Sequence, residues 1–339
     1  MGRYKIYISA CISLLLLLIS SSNCFAQDPQ FSQFYANSLY LNPALTGNTA
    51  QFRFASTYRN QWPSLPKGYV SYTTAFDYNV EKLKSGIGLI ATHDKAGRGG
   101  LKFTNIAALY STYVRLNRLT YIKGGLKFSY TTRGVNQSEL VFSDQIIRDG
   151  APFSIESLDN NINHLDLGGG LILSNSEKYW FGFSIDHINQ PTYGFLSTDE
   201  ALPIKTSLHG GWNFEIENPR KVVGPKEFKA MFNYKMQGQW DQFDLGGYYA
   251  NDPIYLGMWY RGIPIFKRYD KEFPNNESII LLLGVKSGDL RIGYSYDITI
   301  SKLAGNSGGA HEISLIYEIS NPKKKRKNRR YFLAPCPKF

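Results

Sequence analysis

Cysteine is almost missing from this chain. There are three, and Cys11 and Cys24 both fall within the first 26 residues, which leaves Cys336. A chain starting at Gln27 has no internal disulfide, so a small framework stapled by bridges is excluded. Long apolar runs are also missing after residue 26, and no membrane-spanning helix is expected there. No long segment carries the helical period. There is no Walker loop, no GxSxG elbow, no glycine fingerprint ahead of a helix and no HExxH pair. The five histidines, His93, His164, His187, His209 and His311, lie in or beside different expected strands, without metal-site spacing. Asp186-His187 and His93-Asp94 are neighbours that face opposite ways in a strand. The reading gives no catalytic residue, no metal and no cofactor.

What is present begins with a targeting segment. Arg3 and Lys5 precede an apolar block densest from Leu14 to Ile19, and Cys24-Phe25-Ala26 closes it before Gln27. That is the layout of a secretory signal peptide cut after Ala26. Its apolar core is shorter than the roughly 20 residues a spanning helix needs. Lipid attachment at Cys24 is disfavoured by the bulk of Asn23. Charge is concentrated at the other end. Lys323, Lys324, Lys325, Arg326, Lys327, Arg329, Arg330 and Lys338 account for most of the net +11, and residues 27–322 hold 28 basic against 27 acidic residues. Such a run suggests a nucleic-acid arm, but an exported protein does not meet chromosomal DNA.

Between these ends the residues alternate with a period of two. Phe52, Phe54, Ser56 and Tyr58 oppose Arg53, Ala55, Thr57 and Arg59. Val70, Tyr72, Thr74, Phe76 and Tyr78 form an outer set. Leu290, Ile292, Tyr294, Tyr296 and Ile298 oppose Arg291, Gly293, Ser295, Asp297 and Thr299. About fourteen such runs begin near residues 50, 68, 86, 101, 119, 164, 178, 205, 227, 241, 254, 277, 290 and 311. Their length suits a tilted strand crossing a bilayer. Tyr58, Trp62, Tyr78, Tyr130, Trp180, Trp212, Trp259 and Tyr260 recur near strand ends, as rim aromatics do. No blade-length repeat supports a propeller. The expected fold is all-β, a transmembrane antiparallel β-barrel of about fourteen strands. An even number puts both ends in the periplasm, and the long segments 138–163 and 190–203 fall between strands. The first of these is expected outside the cell or folded into the lumen.

The start QDPQFSQFYANSLYLNPALTG (27–47), the following YRNQWP (58–63) and the closing CPKF (336–339) resemble the PorP/SprF family of Bacteroidota outer-membrane proteins. The resemblance covers essentially the whole mature chain. It implies a non-enzymatic component of the type IX secretion system, which in some species serves gliding motility. Implied partners are the periplasmic lipoprotein ring of that machine, or large secreted adhesins carrying its C-terminal domain.

The expected organisation is a signal peptide (1–26), a periplasmic lead-in (27–49), a barrel (50–320) and a basic periplasmic tail (321–339). Asn42-Pro43-Ala44 interrupts regular structure ahead of the first strand. Phe31, Phe34 and Tyr35 are too apolar for a free segment and should pack under or inside the barrel mouth, or on a partner. Arg59 and Trp62 close the first strand at a rim. In the tail, Lys323, Lys324, Arg326, Arg329 and Arg330 suit anionic outer-membrane lipid or an acidic protein face. Cys336 and Phe339 end a segment unlike a purely solvating one. These residues, with Asn42 and Pro43, are the candidate partner contacts. A porin or hydrophobic-substrate channel is the alternative, although the near-neutral body lacks the charge bias of a selective pore.

Overall fold

Alternation decides the shape of this chain. The computed structural model describes residues 28–319 apart from 67, 98–99, 137–139, 149–160, 196–199, 217–225, 264–274 and 302. The alternating runs form β1 (Phe52–Gln61), β2 (Tyr69–Val80), β3 (Ser85–Ala96), β4 (Leu101–Arg115), β5 (Thr120–Gly134), β6 (Asn161–Asn175) and β7 (Tyr179–Asp186). The second half comprises β8 (Lys205–Ile216), β9 (Lys226–Gln237), β10 (Trp240–Asn251), β11 (Ile254–Gly262), β12 (Asn276–Ser287), β13 (Leu290–Thr299) and β14 (Ala310–Ile319). Each strand pairs antiparallel with its sequence neighbours. The ring closes where β14 meets β1, from Phe52↔Ile319 to Gln61↔Ala310. Closure gives every strand two partners, the condition for strands to cross hydrocarbon.

Register then sorts the side chains. On β1 the inward set, Arg53, Ala55, Thr57 and Arg59, is buried. On β2 the expected outer residues Tyr72, Phe76 and Tyr78 are exposed. Leu89, Ile106, Leu126, Phe128, Leu256 and Leu283 continue this apolar outer wall around the ring. A wall of that kind is stable facing lipid and a liability in water.

Two of the expected rim aromatics need correction. Trp180 and Trp259 are each 1% exposed and face the lumen. Strand parity places them there: Trp180 shares its face with Ser184 and Asp186, and Trp259 shares its face with Arg261. Tyr78, Tyr130 and Trp212 do point outward. Trp62 follows β1 in a left-handed conformation (φ 58°), half-buried, with its ring edge-on to Tyr69.

The two mouths differ. At the mouth where β1 begins and β14 ends, the connections are 81–84, 116–119, 176–178, 217–225, 252–253 and 288–289. At the opposite mouth they are 62–68, 97–100, 135–160, 187–204, 238–239, 263–275 and 300–309. The 138–163 segment thus joins strands at the long-loop mouth. Its one-turn helix Ser143–Ile147 leaves Ile146 and Ile147 exposed rather than folded into the lumen. The described residues of the 190–203 segment do fold inward. A bridge pairs Thr192 with Ala201, and Tyr193 and Leu202 are buried, with Tyr193 under the Arg133 guanidinium.

Candidate functional site

The lead-in occupies the interior of the barrel. Residues 31–49 are buried almost without a break, and inward-facing polar side chains are buried on all fourteen strands. The segment is a short helix Ser38–Leu41 and a 3₁₀ turn Pro43–Leu45 set in irregular chain. Asn42 separates the two. Its side chain caps the turn by accepting from Ala44 N at 2.8 Å, and Pro43 takes the first turn position, where a missing N–H costs nothing. The same amide anchors the turn to the wall. Its Nδ2 donates to Phe183 O at 3.1 Å and Leu171 O at 3.3 Å, and stands 3.1 Å from His209 Nε2.

Two glycines make this approach possible. A Cβ on Gly125 would lie 2.3 Å from Ala44 N, and one on Gly170 would lie 2.1 Å from Asn42 Oδ1. Gly125 in β5 and Gly170 in β6 therefore thin the wall where it receives the lead-in.

Polar contacts hold the segment at three levels. Near the long-loop mouth, the Asp28 carboxylate meets Lys205 Nζ at 2.9 Å and His187 Nε2 at 3.0 Å, and the Asp28 amide donates to Gln237 Oε1 at 3.2 Å. His187 Nδ1 stands 3.1 Å from Asp166. Lys205 also reaches Asp186, which Lys127 contacts.

Further in, the backbone amides of Ser32 and Gln33 both donate to the Glu312 carboxylate, at 2.7 and 2.8 Å. Ser32 Oγ donates to Asp297 at 2.6 Å, and the Gln33 amide bridges Ser295 and Ser314. Arg59 binds Ser32 Oγ, Glu312 and Asp297 at 2.6, 3.1 and 2.9 Å. Arg261 binds Asp244 at 2.7 Å and Ser32 Oγ at 3.2 Å. Tyr35 stacks on Trp259, and Phe31 meets Tyr40 edge-on.

At the mouth where β1 begins, Thr46 O accepts from Lys123 Nζ at 2.6 Å and Ser111 Oγ at 2.7 Å. Gly47 N donates to Asp77, which also pairs with Arg53, and Thr49 donates to Glu318 at 2.8 Å.

Of the positions expected for the lead-in, under the mouth, inside it or on a partner, the described residues take the one inside. They run through the lumen from Asp28 at the long-loop mouth to Thr49 at the other. The even strand count does bring the start of β1 and the end of β14 to one mouth, but Asp28 stands at the opposite one. Phe31, Phe34, Tyr35, Asn42, Pro43 and Arg59 are all buried inside, against the protein's own wall. Trp62 sits at the rim. Lys323, Lys324, Arg326, Arg329, Arg330, Cys336 and Phe339 lie outside the described residues. The partners that sequence reasoning did not single out are Asp28, Asp77, Lys205, Asp244, Arg261, Asp297 and Glu312. For all but Asp28, which precedes the strands, the signal was charge on the inward parity of a near-neutral barrel.

His187 lies outside the strands, just past β7. Burial alone would push its imidazole down, but the Asp28 carboxylate, with Asp166 on the other ring nitrogen, raises its pKa to about 9. A raised folded-state pKa contributes stability fully below the unfolded value of about 6.5 and loses it as pH climbs through about 9. The Tm difference between wild type and His187→Gln is therefore expected to be largest below pH 6.5 and to vanish by about pH 10. A difference that stays constant with pH would refute the ionic clasp.

Among the described residues no group of three His, Cys, Asp or Glu could hold a metal ion. The arrangement can brace a closed barrel.

The model of the family described as type IX secretion system membrane protein PorP/SprF matches residues 23–317. Comparison with curated proteins gives no match. Among solved structures, the CymD monoaromatic hydrocarbon channel is 12% identical, with 84% of this chain and 93% of that one covered and a TM-score of 0.48. The P. putida toluene transporter TodX is 11% identical, with 83% and 93% covered and a TM-score of 0.46. The outer membrane protein Omp33 of Acinetobacter baumannii is 6% identical, with 81% and 100% covered and a TM-score of 0.43. These likenesses concern the barrel fold alone.

Proposed function

Because the chain belongs to the PorP/SprF family of type IX secretion system membrane proteins, we propose that this outer-membrane component works through protein partners and passes no solute. Its role is secretion or surface retention of substrates bearing the C-terminal domain of that pathway, large adhesins among them, and it carries no enzymatic activity. The observation that carries this reading is the occupied lumen. The lead-in fills the route a solute would take. Ion pairing holds it at the long-loop mouth, and hydrogen bonds to charged wall residues hold it between the mouths and at the other one. That occupancy counts against the porin or hydrocarbon-channel alternative.

Orientation follows from loop length. Outer-membrane barrels keep short turns on the periplasmic side and longer loops outside. The mouth where β1 begins and β14 ends is thus periplasmic. The basic tail leaves β14 there, within reach of the periplasmic lipoprotein ring and of anionic lipid headgroups.

The test is a pull-down from detergent-solubilised membranes with mass spectrometry, on wild type and on a variant lacking residues 323–339. Wild type should recover other type IX secretion components. The truncated barrel should still insert but lose them, with secretion abolished. Normal secretion by the truncated protein would refute the tail as a docking element.

A further inference from the structure

We infer that the mature amino terminus is a surface element: the lead-in is a strap threaded through the barrel, and it delivers the chain's first residues to the outside of the cell. The two ends of the strap are fixed by different groups at different mouths. Thr49 donates to Glu318, one residue before β14 ends, and Asn79 Nδ2 donates to Thr49 O at 3.0 Å beside the β2–β3 turn. Asp28 binds His187 and Lys205, which flank the β7–β8 connection, and Gln237, which closes β9. All three belong to the long-loop mouth. Between these ends the strap touches opposite walls in turn, at Glu312 on β14, Trp259 on β11, Thr57 on β1, and Leu171 and Phe183 on β6 and β7. A segment that merely dipped into one mouth and returned would bring Asp28 and Thr49 to the same rim.

The geometry has consequences for assembly and for partners. An N-terminal signal segment held in the inner membrane could not occupy this route, so its removal precedes seating of the strap. The basic tail and the amino terminus then address opposite faces of the membrane. One folded unit offers a periplasmic contact at its C-terminal end and a surface contact at its N-terminal end, joined by a buried strap. At the outer mouth the described strap ends at Asp28, which Lys205 and His187 hold. A partner that reads it must arrive from outside, as an exported chain does.

The inference rests on the proposed orientation only for naming the side. That Asp28 shares a side with the β13–β14 loop, and not with the β2–β3 turn, follows from the path of the strap alone. The experiment separates the two. Cys336 is removed by Cys336→Ser, and single cysteines are introduced as Gln27→Cys, as Asn306→Cys in the β13–β14 loop, and as Lys82→Cys in the β2–β3 turn. Intact cells are treated with a membrane-impermeant maleimide, and lysed cells are treated in parallel to show that every thiol reacts. Gln27→Cys and Asn306→Cys should label on intact cells, and Lys82→Cys only after lysis. Labelling of Asn306→Cys without Gln27→Cys overturns the strap. Labelling of Lys82→Cys alone overturns the orientation and, with it, the surface position of the terminus.

Discussion

Replacing Arg59 with alanine should weaken the folded barrel by about 3–5 kcal/mol, the range for removing one partner of a buried ion pair. The guanidinium is 2% exposed and serves Ser32 Oγ, Glu312 and Asp297, with a longer bond to Gln61 Oε1 at 3.3 Å. Without it, Asp297 keeps the Ser32 hydroxyl and the longer contact from Arg261 at 3.4 Å, and Glu312 keeps its two backbone donors from the strap. The desolvated Glu312 carboxylate then loses its cationic partner. Arg59→Lys should recover only part of the loss, because an ammonium cannot reach three acceptors as a planar fork does. A half-buried pair at the rim supplies the contrast. Lys286 on β12 meets Asp252 in the β10–β11 turn with both side chains partly solvated, and Lys286→Ala should cost less than about 1 kcal/mol. Denaturant unfolding in detergent micelles measures both. Equal midpoints for Arg59→Ala and wild type would show that the buried cluster contributes nothing net.

The same cluster shows what could be read from the sequence. Period two assigned Arg53, Arg59 and Asp297 to the polar side of their strands, and that side is the lumen. Strand starts were legible because turn residues punctuate them and because one register slip would turn every apolar residue inward. What alternation does not encode is which inward charge meets which. Arg59 and Asp297 are separated by most of the chain and become neighbours only because β14 closes onto β1. The lead-in was legible as apolar and ordered. Its route was not, because nothing local in QFSQFYANSLYLNPALTG states that Ser32 and Gln33 will cap a carboxylate on the last strand. Trp180 and Trp259 were misassigned to the rim for a related reason. Proximity to a strand end suggests a girdle, but parity decides the face, and both tryptophans line the lumen where Tyr35 and His209 pack. The two motifs that carried the family resemblance, QFSQF and YRNQW, are in physical contact through Ser32 and Arg59.

Deleting residues 28–48 should convert a closed barrel into an open one. The deletion removes Phe31, Phe34, Tyr35, Leu39, Leu41 and Leu45, each buried against the wall and each contributing roughly 1.5–3 kcal/mol. The wall itself keeps its complete ring of strand pairs and its lipid-facing side chains, so the barrel should still insert. The inward polar residues that now brace the strap, Lys123, Arg59, Arg261, Asp77 and Glu312 among them, would line a water-filled bore. The measurement that bears most directly on the central claim is therefore ionic current through purified protein in planar lipid bilayers, wild type beside the lead-in deletion. A silent wild type and a conducting deletion are the results predicted for a barrel whose lumen is closed by its own strap. Steady conductance by the wild type, equal to that of the deletion, would contradict it.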